Sequence, residues 1–142
     1  MRLVLDASMA LAWLFERDNP KDSDRAERAL SSLTSAKTLV PPLWHIEIAN
    51  ALLVGERRRV VTEAQVIDYL NRLYSLPIDT DDAAPASRRD MVMAMGREYG
   101  LSAYDATYLD LALRTNSMLA TFDVKLADAM LRAGGNLFNE TF

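Results

Sequence analysis

A chain of 142 residues, half of them apolar, has material for one well-filled core and too little for two comfortable domains, so a single domain over residues 1–142 is expected. It has no cysteine, which excludes disulfide frameworks, thiolate zinc sites and thiol nucleophiles and suits a reducing cytoplasm; no leader-like segment opens it and no run approaches the ~20 apolar residues of a membrane span, so a soluble protein is expected. The formal charge of -4, from 20 acids against 16 Lys plus Arg, on its face disfavours a nucleic-acid binder, yet four acids held on a metal would leave the remaining charges balanced.

Taken in chain order, Arg2 to Leu5 is a short apolar strand and Ser8 to Arg17 a helix that the run Trp13 to Phe15 marks as largely buried. Lys21 to Leu33 is amphipathic, with Ala26, Ala29, Leu30 and Leu33 on one side at helical spacing. "TLVPP" is a strand stopped by two prolines, the second placed to enter the first turn of the next helix, Leu43 to Arg58, which is apolar nearly all round and is expected to be buried. Thr62 to Tyr74 reads as a helix, Leu76 to Asp79 as a short strand, and Ala84 to Tyr99 as a Met-rich helix ended by Gly100. Ser102 to Thr115 is a helix and "SMLAT" a strand; Val124 to Arg132 is a helix stopped by Gly134 and Gly135, and "NLF" is a last strand. Strands alternating with helices predict an α/β fold: a central parallel sheet of four to five short strands between two helical layers. In such sheets ligands sit beyond the carboxyl ends of the strands at a topological switch point. Asp6 and Asp123 each follow a strand and can occupy that rim.

Four acids stand out by their surroundings. Asp6 ends an apolar strand with no basic residue nearby; it or Ser8 can cap the following helix, but a cap needs no apolar strand driving into it. Glu47 lies on a helix whose only polar residues between Pro42 and Val54 are His45, Glu47 and Asn50, and at about 100° per residue it shares an arc with Leu43, Asn50 and Val54. "SAYD" fits a capping box with Ser102 as N-cap, and the helical wheel places Asp105 inward beside Leu101, Tyr104, Tyr108 and Ala112 while turning Asp110 outward. Asp123 follows "SMLAT" with Thr121 two residues earlier and can also cap the next helix.

Together the acids pose an electrostatic problem. Two unit charges about 5 Å apart repel by roughly 3 kcal/mol at an effective dielectric near 20, and four acids contain several such pairs. A divalent cation reverses the sign, and oxygen donors with no Cys and a single His favour Mg²⁺ or Mn²⁺ over zinc. His45 is expected to be structural. Arg57 to Arg59 end a helix, where cations suit the macrodipole, a reading that ranks above phosphate contact though the two are compatible; Arg88, Arg89 and Arg97 are either RNA-tracking or simply solvated charges.

"LVLDAS", "EIANAL", "LSAYDATYLDLA" and "LATFD", in this order and spacing, resemble the PIN domain over essentially the whole chain, and at this length the VapC-type toxins of toxin–antitoxin pairs. The resemblance implies a PIN-like three-layer α/β/α sandwich and ribonuclease activity with Mg²⁺ or Mn²⁺ bound by Asp6, Glu47, Asp105 and Asp123. It implies supporting roles for Ser8, Asn50 and Thr121, and also homodimerisation and inhibition by a VapB-type antitoxin segment. Asp110 is a mild departure, standing where the family usually has a small or neutral residue. Three other functions compete. A receiver-like domain would show an acidic pair near the first strand and a late strand-end Lys, for which Lys125 is poorly placed; a haloacid-dehalogenase-like phosphatase would want Asp where Ser8 stands. A catalytically silent PIN fold used for binding has no need of the full acid set.

Overall fold

The structure is a computed structural model and describes residues 1–138. In chain order the elements are β1 (Arg2–Leu5), α1 (Ala7–Leu11), α2 (Pro20–Ser32), β2 (Lys37–Val40), α3 (Pro42–Arg57), α4 (Glu63–Tyr74), β3 (Ile78–Thr80), α5 (Pro85–Tyr99), α6 (Ala103–Arg114), β4 (Met118–Ala120) and α7 (Val124–Arg132). The four strands are parallel in the order β3-β2-β1-β4, with Val4 beside Leu39 on one flank and Leu5 beside Ala120 on the other. Successive strand residues point to opposite faces, and Leu3, Val4 and Leu5 are all fully buried, so helices cover both faces of the sheet. This is the expected α/β sandwich. Among the described residues no helix is long and apolar enough to cross a membrane.

Connectivity sets where a ligand can sit. The chain leaves β1 for β2 on one side and reaches β4 on the other, so the strand order switches between β1 and β4, and the crevice opens at their carboxyl ends. Asp6 follows β1 at that point, its backbone N–H donating to the Ala120 carbonyl at 3.0 Å.

Local signals explain most boundaries. Pro42 occupies the first turn of α3, Gly100 closes α5 in the left-handed conformation (φ 67°), and Thr62 caps α4 with a reciprocal bond from Gln65.

Four expectations need correction. α1 ends at Leu11 rather than Arg17: beyond it the N–H groups of Ala12, Trp13 and Leu14 bond three residues back, and the chain is drawn away by tertiary anchors. The Trp13 indole donates to the Ala26 carbonyl at 2.8 Å, and Phe15 packs so closely on Gly55 that a Cβ there would lie 2.9 Å from its ring. α3 buries a single stripe, Trp44, Ile48, Leu52 and Gly55, whereas Ile46 (68% exposed) and Leu53 (49%) face out. Leu53, beside the stripe residues Trp44, Ile48 and Leu52, borders an open groove against α4 of about 640 Å³. Among the described residues the "NLF" strand is reduced to one parallel bridge, Leu119 to Leu137, in which the Leu119 N–H donates to the Asn136 carbonyl at 3.0 Å and the Phe138 N–H to the Leu119 carbonyl at 2.9 Å. Asp110 is buried, not outward: α6 is covered by the sheet on one side and α5 on the other, and Asp110 is only 3% exposed.

Candidate metal centre

Asp6 holds the N-cap position of α1 yet makes no cap hydrogen bond, so the capping alternative fails. Its Oδ2 accepts from the hydroxyls of Ser8 at 2.7 Å and Thr121 at 2.6 Å. Both hydroxyls are themselves fixed by the neighbouring connection. Ser8 Oγ accepts the Phe122 N–H at 3.0 Å, and Thr121 Oγ1 accepts the Asp123 N–H at 2.9 Å. The ends of β1 and β4 are thereby joined through side chains and carry a carboxylate whose other oxygen takes no side-chain bond among the described residues.

Asp6, Glu47, Asp105 and Asp123 line one open cleft of about 460 Å³, together with Ser8, Asn50 and Arg17. Thr121 lies behind Asp6 rather than on the cleft wall. Glu47 comes from the half-buried side of α3 and is held by the Tyr108 hydroxyl, which donates to Oε1. Asp105 enters from the first turn of α6, where Ser102 Oγ accepts its backbone N–H at 3.1 Å and so caps the helix through the main chain. Asp123 does both jobs: Oδ1 caps α7 by accepting the Leu126 N–H at 3.0 Å, while the side chain still reaches the cleft. Asn50 is exposed on the same wall, one turn beyond Glu47.

The electrostatics agree with the shared location. Burial pushes the Asp6 carboxyl above its ordinary range, against the bonds from Thr121 and Ser8, with the Asp123 charge adding to the rise. Glu47 is raised first by burial, against its Tyr108 bond, and then by Asp6 and Asp105. Asp105 is raised by burial and then by Asp123 and Asp6, with Lys125 and Ser102 opposing. Asp6, Glu47 and Asp105 thus each feel other members of the set.

Raised carboxyl values make stability fall as pH rises. The folded chain holds protons that the unfolded chain has released, so the contribution is complete below the ordinary values, 3.8 for Asp and 4.5 for Glu, and is lost through the raised ones. In chelator, the melting temperature is therefore expected to drop between mildly acidic and neutral pH. Asp105→Asn is expected to be at least as stable as the parent at neutral pH and to lose that advantage in acid, since the backbone cap is retained and a repelled charge removed. Melting curves across pH check both, and a large loss at neutral pH would mean that the carboxylate itself holds the helix end.

The donor set is all hard oxygen, which suits Mg²⁺ or Mn²⁺. Among the described residues the acids line the cleft without closing to the spacing at which three would grip one ion. Asp6 is held by two hydroxyls and Glu47 by one, while Asp105 is half-buried on α6.

His45 lies outside the cleft, exposed and bonded through Nε2 to Thr80 Oγ1 at 2.8 Å. Of the arginines singled out in the sequence, Arg88 is committed to Asp110, and none lines the cleft. Among the described residues Arg17 is the one cation that does, and it carries no signal in its local sequence.

Known proteins can now be set beside this geometry. The PIN domain profile matches residues 3–130. Ribonuclease VapC3 of Pyrobaculum aerophilum is 32% identical over 128 residues, spanning 90% of this chain and 94% of the relative. Among solved structures, PAE2754 from Pyrobaculum aerophilum superposes with a TM-score of 0.65 at 23% identity, covering 91% of this chain and 84% of the other. FitAcB from Neisseria gonorrhoeae superposes with a TM-score of 0.64 at 17% identity, covering 96% of each chain. At these identities the two structures speak for the fold alone.

Proposed function

The chain belongs to the PIN domain family, and from that premise we propose that it is a metal-dependent endoribonuclease, hydrolysing RNA phosphodiester bonds in the cytoplasm as the toxin of a VapBC-type pair. The observation that carries the reading is the arrival of Asp6, Glu47, Asp105 and Asp123 from four separate parts of the chain in one cleft at the switch point of the sheet. A catalytically silent PIN module would gain nothing from mutually repelling carboxylates; the full set favours catalysis.

Asp6, Glu47 and Asp105 would hold Mg²⁺ or Mn²⁺, with Asp123 completing the set or orienting water. When bound, such an ion lowers the pKa of a water and stabilises charge on the phosphate and leaving oxygen. The chain's own contribution is preorganisation. Ser8 and Thr121 clamp Asp6, Tyr108 holds Glu47 by one oxygen, and the α7 cap fixes Asp123. Little side-chain freedom remains to be lost when substrate arrives.

The proposal includes RNA as substrate, a VapB-type antitoxin as partner following the VapC name of the relative, and, from the family resemblance alone, a second copy of the chain. The apolar groove between α3 and α4, bordered by Leu53 and Tyr74, is surface of the kind a protein partner covers. Cleavage of a panel of structured RNAs, tRNA included, is expected to appear on titration with Mg²⁺ or Mn²⁺ and to stop with excess chelator. RNA binding without cleavage at any metal concentration would instead favour the silent module.

A further inference from the structure

The carboxylate cleft repels the very ligand proposed for it, since every nucleotide of RNA brings a negative charge. Among the described residues lining the cleft, Arg17 is the one cation. Its ion pair is not with the four acids. Nε donates to Asp22 Oδ2 at 3.1 Å, and the guanidinium carbon lies 4.0 Å from the centroid of the Phe122 ring. An acid of α2 and an aromatic ring from the connection between β4 and α7 therefore hold one guanidinium off the neighbouring carboxylates.

The anchors are themselves braced. Phe122 donates its N–H to Ser8 Oγ, the same hydroxyl that donates to Asp6. Arg25 supports the ring from a second position, its guanidinium carbon 4.9 Å from the centroid and its Nη2 donating to the Thr121 carbonyl at 3.2 Å. Arg25 also approaches Asp22, Nη1 to Oδ1 at 3.9 Å. Cation, ring and first carboxylate form one connected unit. Within it the Arg17 Nη groups make no hydrogen bond to a described residue, leaving a planar edge of donors of the kind that matches two phosphate oxygens.

We infer that Arg17 is a phosphate-positioning residue: its Nη edge takes a backbone phosphodiester of the RNA strand and, through Phe122 and Ser8, sets the strand in register with Asp6. The identity of the ligand rests on the ribonuclease reading above. A stacked and ion-paired guanidinium loses less freedom on binding than a free one, and it counters repulsion at the cleft mouth without neutralising the acids inside.

The test measures binding with the chemistry switched off. A short mixed-sequence single-stranded RNA carrying a fluorophore is titrated with the parent, Arg17→Gln and Arg17→Lys in chelator over a series of salt concentrations, with melting temperatures in parallel. Arg17→Gln is expected to bind about fivefold more weakly at low salt, and its plot of log affinity against log salt to be shallower by about 0.7. Arg17→Lys is expected to restore the slope and only part of the affinity, because it returns the charge without the fork. With metal added, Arg17→Gln should show a raised KM and also a lowered kcat, because a strand held out of register with Asp6 is attacked less often.

Unchanged affinity and slope in a stable Arg17→Gln overturn the inference, as does a parent that shows no salt-dependent RNA binding. Equal losses in Arg17→Gln and Arg17→Lys with lowered melting temperatures overturn it too, by marking a structural residue. A parent that binds RNA but never cleaves it refutes the ribonuclease reading while leaving the slope comparison to decide Arg17.

Discussion

Replacing Asp6 by asparagine is expected to lower RNA cleavage by about a hundred- to a thousandfold while leaving the fold at least as stable. The amide oxygen of asparagine has two lone pairs and can keep both hydroxyl donors, Ser8 and Thr121. What is lost is the charge, which burial disfavours in the parent and which the proposed ion requires. Activity and stability should therefore separate, with cleavage falling and the melting temperature in chelator at neutral pH holding or rising. Initial rates at saturating Mn²⁺, measured beside melting curves, check this. Cleavage at the parent rate would place the chemistry elsewhere or in a contaminant, and a collapse of both would make Asp6 a structural residue.

The opposite separation is expected for Asp110→Ala: a loss of about 2 kcal/mol of stability with cleavage per folded molecule unchanged. Asp110 sits 4% exposed at its side chain and binds Arg88 through both oxygens, at 2.6 and 3.0 Å, with Arg114 Nε at 3.4 Å from Oδ2. Arg114 passes the link on to Asp81 with both Nη groups. One buried carboxylate thus ties α5, α6 and the end of β3 together. Its removal is expected to fall short of the ~3–5 kcal/mol typical of a broken buried pair, because both guanidinium groups remain partly open to water. Asp105 and Asp110 lie about 140° apart around α6 and line different cavities, so the change should not reach the cleft. Denaturant unfolding together with specific activity checks both halves of the expectation.

These two acids on one helix show where the sequence was legible. The strand ends that place Asp6 and Asp123 could be read because alternation of strand and helix predicts a parallel sheet, and a parallel sheet concentrates ligands at one rim. Glu47 could be read because an acid amid apolar helix positions has few places to go. Asp110 was assigned to the wrong side because a wheel finds one buried stripe, whereas α6 is covered on both sides: Ala106, Tyr108, Leu109, Leu111 and Ala112 are buried around it. The opposite error arose in α3, whose apolar second face suggested burial but leaves Ile46 and Leu53 exposed. α1 was extended too far because the anchors that end it, Ala26 and Gly55, are remote in sequence. Arg17 was missed for the same reason, since its place is defined by Phe122, a neighbour only in the folded chain.

The bond from Thr121 to Asp6 spans 115 residues and is the keystone of the cleft. During translation β1 leaves the ribosome more than a hundred residues before β4, the partner that completes its second flank. A nascent chain therefore carries Asp6 with neither the clamping hydroxyl nor Asp123 in place until β4 and the residues after it have emerged. If the finished molecule destroys RNA, this late closure gives the ribosome that makes it a built-in delay, set by the order of strands in the sheet.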